Sequence, residues 1–235
     1  LRASGGPHPP SQGRGAPWGE ARLRASGGPP CTRHDPEAPA APLVLDSPHS
    51  GEDYPADFDH AAPRSAVRQA EDTHVARLWR GAVAHGATLL EAHFPRAYLD
   101  ANRGLEDIDP ALFADGERWP GPVEVTRKTE QGIGLVWRLA RGGVPMYARA
   151  LSVDEVERRI RTCWHPYHEA VARALDERHL AFGAVWHVNC HSMPAVGDAR
   201  SDDPGRERAD VVLGDRDGTT CEAAFTRLVA EAFAS

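Results

Sequence analysis

This sequence of 235 residues has few cysteines, no net positive charge and no long apolar runs. Its four cysteines form no Cys-x-x-Cys pair, so we expect reduced thiols in a cytoplasmic protein rather than a disulfide framework or a cysteine zinc site. The net charge of -7 gives no electrostatic reason to bind nucleic acid or an anionic membrane surface. No apolar stretch approaches the roughly 20 residues that span a bilayer, and the amino terminus lacks the apolar core of a secretory signal. These absences argue against a nucleic-acid or membrane module.

The amino-terminal part differs in composition from the rest of the chain. A heptapeptide, Leu-Arg-Ala-Ser-Gly-Gly-Pro, occurs at residues 1–7 and again at 23–29, among many other Pro, Gly and Arg residues. Such a segment buries too little apolar area to offset its chain entropy. The sequence therefore predicts a disordered leader over residues 1–41 and one domain over residues 42–235.

Strand and helix patterns alternate along residues 42–235, which is typical of an α/β fold with a mixed sheet. A capping box formed by Ser152 and Glu155 marks the start of the clearest helix, and Gly86 is a stop signal for an earlier one. The patterns predict strands at 43–45, 88–94, 97–101 and 184–188, helices at 72–85, 152–179 (with a break near Pro166) and 220–234, and mostly loop over 105–145.

Two of the twelve histidines lie just after predicted strands, where α/β sheets form their sites. His49 and His191 are each followed by serine, and Asp72 lies at a predicted helix start. Two imidazoles and one carboxylate would suit a catalytic zinc ion with an open position. The residues alone do not decide the third ligand. Besides Asp72, the candidates are Glu52, Glu71 and His74.

The segment at residues 97–103 is the second group of candidate site residues. If it is a strand, alternation places Tyr98, Asp100 and Asn102 on one face, with Arg103 at the strand end. An arginine there can bind a substrate carboxylate through two parallel hydrogen bonds. The alternative is a surface arginine beside the acidic loop that follows it.

Six segments in register resemble the N-formylglutamate amidohydrolase family. The resemblance covers about residues 42–235 and rests on Ser-Pro-His-Ser-Gly at 47–51, Glu-Asp-Thr-His-Val at 71–75, Tyr-Leu-Asp-Ala-Asn-Arg at 98–103, Trp-His-Pro-Tyr-His at 164–168, His-Val-Asn-Cys-His-Ser-Met at 187–193, and residues 210–221.

The resemblance implies a three-layer fold similar to that of the zinc carboxypeptidases and of the succinylglutamate desuccinylase and aspartoacylase group. It implies zinc held by His49, Asp72 and His191, so it favours Asp72 over Glu52. It also implies that Asn102 and Arg103 recognise a carboxylate of a small N-acyl amino acid substrate. The implied reaction is hydrolysis of N-formyl-L-glutamate to L-glutamate and formate in histidine degradation.

One departure from the family pattern concerns the catalytic base. In the family, a later motif contains a glutamate that looks like the general base. No residue of this sequence matches that motif, so we expect a carboxy-terminally truncated chain without that glutamate. His168 and Arg141 are polar pocket candidates without an assigned role. The alternatives are another N-acyl amino acid amidohydrolase on the same scaffold and an inactive fragment.

Overall fold

A five-stranded mixed sheet forms the centre of the computed structural model, which describes residues 2–4, 28–198, 201 and 203–234. The strands are β1 (Arg2–Ser4), β2 (Cys31–His34), β3 (Leu43–Ser47), β4 (Thr88–Ala92) and β5 (Trp186–Asn189). Their order across the sheet is β1-β5-β3-β4-β2. The central strand β3 is parallel to both β4 and β5, and β1 and β2 add antiparallel edges.

Helices lie between and after these strands. They are α1 (Arg64–Arg68), α2 (Val75–Trp79), α3 (Arg127–Glu130), α4 (Val153–Arg159), α5 (His165–Phe182) and α6 (Ala223–Ala234). A π-helical turn at Ile160–Trp164 joins α4 to α5. Short 3-10 segments occur at Ala56–Phe58, Arg80–His85, Pro110–Leu112 and Arg141–Gly143.

Both faces of the sheet are covered, because successive strand residues point to opposite sides. Val44 and Leu90 belong to the larger core cluster, which includes Tyr167 and Ala174 of α5. Leu45 and Leu89 belong to a smaller cluster on the other face, which includes Val75 of α2 and is contacted by Phe225 of α6. The expected three-layer α/β fold with a mixed sheet is confirmed.

Local signals in the sequence explain where most elements begin and end. The predicted capping box is present: Glu155 N–H donates to Ser152 Oγ (3.2 Å), and Ser152 N–H donates to Glu155 Oε2 (2.9 Å). Gly86 adopts a left-handed conformation (φ 95°) and ends the 3-10 turn that extends α2. Strands β3, β4 and β5 and helix α6 fall within a few residues of their predicted positions.

The predicted strand at 97–101 is wrong. These five residues form turns, and all of them are buried, so one-sided alternation does not describe them. The Tyr98 and Leu99 amides turn back to donate to the carbonyl of Pro95, and the Asp100 amide donates to that of Leu135 (2.7 Å). The candidate residues of this segment therefore lie on a buried turn and not on the strand that the pattern predicted.

The expectation of a disordered leader over 1–41 also needs correction for one segment. Strand β2 lies inside that range and pairs antiparallel with β4, from Cys31 opposite Ala92 to His34 opposite Leu89. Main-chain hydrogen bonds to a sheet edge hold this short strand, so its order does not depend on an apolar face. Strand β1 also falls in the range, whereas residues 5–27 lie outside the described part.

All four cysteines are free thiols, as expected from their spacing. None of the described helices combines the length and apolar character that crossing a bilayer requires.

Candidate metal centre

The first candidate site lies at the carboxyl ends of two neighbouring parallel strands. His49 follows the end of β3 by two residues, and His191 follows the end of β5 by two residues. Because β3 and β5 are adjacent and parallel, both histidines emerge at the same edge of the sheet. Asp72, three residues before α2, joins them there: its amide donates to the carbonyl of His49 (2.9 Å).

Both imidazoles face the same carboxylate oxygen. The Nδ1 atom of His49 lies 3.4 Å from Asp72 Oδ2, and the Nδ1 atom of His191 lies 3.1 Å from it. The two ring centroids are 4.7 Å apart, and one ligand atom from each of the three residues falls within 4.8 Å of the others. The second oxygen of Asp72 accepts a hydrogen bond from Ser192 Oγ (3.0 Å), which fixes the rotation of the carboxylate.

A second carboxylate supports His49 from behind. His49 Nε2–H donates to Asp100 Oδ1 at 2.6 Å, in surroundings where both side chains are almost fully buried. The other oxygen of Asp100 accepts from Arg96 Nη2 (3.0 Å) and from the indole N–H of Trp137 (3.4 Å). A histidine that is hydrogen-bonded through its far nitrogen to a carboxylate is the usual arrangement of a metal ligand, because it fixes the tautomer and the ring orientation.

Charge balance keeps both carboxylates ionised. Burial raises the pKa of Asp72, but the hydrogen bond with His191 and the charge of Arg96 outweigh it, and the net pKa lies well below the ordinary value. Burial likewise raises the pKa of Asp100, yet the charge of Arg96 and the hydrogen bond from His49 bring it well below its ordinary range. Burial lowers the pKa of His191 below its ordinary value, so its imidazole is neutral near pH 7. Neutral imidazole and ionised carboxylate are the forms that bind a metal ion.

The residues present fit a zinc ion. Nε2 of His49 donates to Asp100, and Nδ1 on the other side of the ring is buried without a hydrogen-bond partner. A cation between this nitrogen and the ionised Asp72 carboxylate would give both a partner. Ligand atoms that each lie about 2.0–2.1 Å from a tetrahedral zinc stand about 3.3 Å apart, which matches the separations of 3.4 Å and 3.1 Å from Asp72 Oδ2.

The competing acidic and imidazole candidates lie elsewhere. Glu52 pairs with Arg68 at 2.9 Å on the surface, and Glu71 accepts a hydrogen bond from the hydroxyl of Tyr54. His74 is exposed at the residue preceding α2. Only Asp72 among the acidic candidates contacts the two histidines.

The structure brings Asn102 to the centre and Arg103 beside it. Asn102 Nδ2 lies 3.2 Å from His191 Nε2. The Arg103 guanidinium donates to the carbonyls of Asn102 (3.0 Å) and Ile133 (3.4 Å), which hold its position next to the turn. His168 packs behind this turn and Arg141 pairs with Asp198 at 3.7 Å, so neither contacts the three metal-ligand candidates.

Sequence reasoning missed the supporting residues. Asp100 was assigned only to a strand face, and Arg96, Trp137 and Ser192 received no role. A signal existed for Asp100, because it lies in the same short segment as Asn102 and Arg103. No spacing rule connects it to His49, which is 51 residues away and reaches it only through the fold.

Sequence relatives with assigned names are similar to most of this chain. An N-formylglutamate deformylase of Pseudomonas aeruginosa is 28% identical over 191 residues, which cover 78% of this chain and 63% of the relative. A protein of the same name from Pseudomonas putida is 26% identical over 192 residues, which cover 77% of this chain and 61% of the relative. The chain thus spans less than two thirds of the length of these curated relatives.

Solved structures and a family model agree with these relatives. An N-formylglutamate amidohydrolase from Ralstonia eutropha is 48% identical with a TM-score of 0.81, covering 86% of this chain and 72% of that one. A gene product from Agrobacterium tumefaciens, 19% identical with a TM-score of 0.55 over 77% of this chain and 61% of its own, shares the fold. The sequence model of the N-formylglutamate amidohydrolase family matches residues 41–235. This chain belongs to the N-formylglutamate amidohydrolase family.

Proposed function

We propose that the protein hydrolyses N-formyl-L-glutamate to L-glutamate and formate in histidine degradation, with zinc as its cofactor. The observation that carries this proposal is the convergence of His49, Asp72 and His191 on one point, in a chain whose relatives are named N-formylglutamate deformylases. Two histidines and one aspartate, with His49 Nδ1 left without a hydrogen-bond partner, suit a catalytic zinc ion.

The three converging residues would hold the metal, and Asp100 would hold the orientation of His49. A zinc ion bound there would supply Lewis-acid polarisation of the formyl carbonyl and activation of water. Asp100 keeps the proton of His49 on Nε2 and thus directs the free lone pair of Nδ1 toward the centre. Asn102, in contact with His191, lies at the border between the metal centre and the expected substrate space.

Arg103 is the proposed partner of a substrate carboxylate. Its guanidinium uses Nε and Nη1 on two backbone carbonyls, and a guanidinium has five N–H donors in a rigid plane. The remaining donors can bind a carboxylate, and the two backbone bonds reduce the rotamer entropy that binding would otherwise cost.

The proton acceptor is neither of the buried carboxylates. A carboxylate whose pKa is depressed is a weak base, and both Asp72 and Asp100 have depressed pKa values. Asp72 is moreover assigned to the metal and Asp100 to His49. The general base therefore lies outside these two residues.

Zinc content is the first test of the proposal. We expect about one zinc ion per wild-type chain after dialysis against limiting zinc, measured by mass spectrometry, and none in His191→Ala. His179→Ala, which changes an exposed histidine on α5, serves as the matched control and should retain the metal. Equal zinc content in wild type and His191→Ala would contradict the ligand assignment.

Substrate choice is the second test. Release of formate, acetate and succinate from the three N-acyl-L-glutamates separates the proposed activity from that of another N-acyl amino acid amidohydrolase. Arg103→Ala should weaken N-formyl-L-glutamate binding by about 10- to 100-fold, because a hydrogen bond to a charged group contributes about 1.5–3 kcal/mol. Arg173→Ala, an exposed arginine on α5, should bind as the wild type does. Unchanged affinity in Arg103→Ala would refute the carboxylate role.

A further inference from the structure

Three side chains of one helical rod contact the main chain of the turn that carries the site. This turn, residues 98–103, is called the site turn below. Arg159 Nη1 donates to the carbonyl of Tyr98 (3.2 Å), and the indole N–H of Trp164 donates to that of Arg103 (3.0 Å). His168 Nε2 donates to the carbonyl of Ala101 (2.9 Å). Helix α4, the π turn and α5 thus supply one donor each along the site turn.

The π turn explains why these donors share a face of the rod. Arg159 and Trp164 are five residues apart, and residues with that spacing point in different directions on an α-helix, which repeats every 3.6 residues. A π turn bonds residue i to i+5, as His165 N–H does to the carbonyl of Ile160. The extra residue returns Trp164 to the face of Arg159. His168 follows Trp164 by four residues, one ordinary α-turn later.

The chemistry of these contacts fixes the direction of each bond. A backbone carbonyl only accepts, so Nε2 of His168 carries the ring proton. The His168 ring lies against the Trp164 indole, with centroids 4.0 Å apart, so each ring limits the rotation of the other. Burial lowers the pKa of His168, which keeps the ring neutral near pH 7. Trp164 and His168 form one rigid pair of donors.

The site turn holds three residues that lie between the metal centre and the expected substrate carboxylate. Asp100 orients His49, Asn102 contacts His191, and Arg103 is the proposed carboxylate partner. Inside the turn, the Arg103 amide donates to the carbonyl of Asp100 (3.1 Å) and the Asn102 amide to its Oδ1 (3.0 Å). The carbonyls of Ala101 and Arg103, on either side of Asn102, are the ones that His168 and Trp164 hold.

We infer that Trp164 and His168 are positioning residues, which the π turn places so that their N–H groups hold the site turn in its substrate-binding conformation. This inference rests on the proposed function in one respect only, the identity of the substrate. The metal ligands themselves lie on other segments, so we expect variants of the pair to keep their zinc at saturating concentration while substrate affinity falls.

Amide hydrogen exchange on the full chain tests the positioning role without any substrate. Trp164→Phe keeps a ring against His168 but removes the indole donor, and His168→Phe keeps the stack but removes the imidazole donor. In both variants we expect the amides of residues 100–103 to exchange about two- to tenfold faster, the range of one hydrogen bond, with exchange in β3 and β5 unchanged. His168→Gln, whose side-chain amide offers a donor near the position of Nε2, should restore slow exchange.

Binding of N-formyl-L-glutamate, measured by calorimetry on the zinc-loaded protein, supplies the second readout. Affinity should fall about two- to tenfold in Trp164→Phe and His168→Phe and recover in His168→Gln, with zinc content equal to that of wild type. Trp186→Phe, which alters a ring stacked on Phe225 of α6, is the matched control. Wild-type exchange in both Phe variants would overturn the positioning role. Absence of N-formyl-L-glutamate binding by the wild type would instead refute the proposed substrate, while the exchange result would still decide the positioning role.

Discussion

The two sides of the metal centre are built differently. On one side, His49 is 1% exposed and forms a chain of contacts with Asp100 and Arg96 inside the protein. On the other, His191 is partly exposed, and it contacts Asp72 and the amide of Asn102. The buried side fixes the position of a ligand before any metal binds, whereas the exposed side leaves room for a substrate to approach. Both properties suit a metal site, in which the ion must be held firmly and remain reachable.

The largest difference is expected between the two histidine substitutions. His49→Ala and His191→Ala should both abolish zinc binding. In the metal-free protein, however, His49→Ala should lower the free energy of unfolding by about 3 kcal/mol, because it removes a buried ring that donates to the Asp100 carboxylate and leaves a cavity in its place. His191→Ala should cost about 1 kcal/mol, the typical net value of a hydrogen bond. Urea unfolding in the presence of a chelator measures both, and equal losses would abolish the distinction between the two sides.

The second largest loss of stability is expected when a methyl group is added at Gly51, on the buried side of the centre. A Cβ atom there would lie 2.3 Å from the carbonyl oxygen of Phe94 and 2.4 Å from that of His93, both main-chain atoms that cannot rotate away. Gly51→Ala should therefore destabilise the protein by about 2–3 kcal/mol and weaken zinc binding, since Gly51 is two residues from His49. Gly81→Ala is the control, because a Cβ atom at Gly81 meets nothing within 4 Å. Thermal unfolding compares the two, and a stable Gly51→Ala would show that the His49 loop can move.

Asp100→Asn should separate orientation from ligation. The substitution keeps the volume but removes the charge that holds the His49 proton, so zinc affinity should fall about 10- to 100-fold, the usual effect of changing such a partner. Competition with a chromophoric chelator measures the affinity. Asp109→Asn changes another buried carboxylate, paired with Arg138 at 2.6 Å away from the metal ligands, and should leave zinc affinity as in wild type. If both variants bind zinc equally well, Asp100 does not support the ligand.

The smallest expected effect is a loss of stability of the metal-free protein at acidic pH, caused by protonation of His191 on the exposed side. Burial lowers the pKa of His191 in the folded state, so the unfolded chain binds more protons below its ordinary value of about 6.5. The contribution of His191 to stability is therefore full above about pH 7 and declines as the pH falls toward 5. His168, whose pKa is also lowered by burial, acts in the same direction.

His191→Gln isolates the contribution of His191 to that pH dependence. Denaturant unfolding at pH 7 and pH 5.5 should show a smaller difference for the variant than for wild type, with the His168 share remaining. The same difference in both proteins would mean that His191 is not the group being protonated.

Local signals anticipated much of the fold because they act over a few residues. The apolar run before His49 specifies β3, the Ser152 and Glu155 pair starts α4, and Gly86 supplies the left-handed residue that ends a helical turn. The same reasoning failed at residues 97–101, where apolar composition resembles a strand. There the chain is buried on all sides and its amides find partners in turns. Composition also failed at β2, whose order comes from pairing with β4.

The sequence by itself determined the ligand types, the strand ends that carry them and, through its motifs, the family. The resemblance favoured Asp72, but the residues alone left Glu52 and Glu71 open, and the tertiary structure shows that Asp72 meets the two histidines. It also decided that Asp100 and Arg96 stand behind His49, and that a π turn aligns Trp164 and His168 with the site turn. These relations join residues that lie far apart in the chain, and no local periodicity encodes a contact that only folding creates.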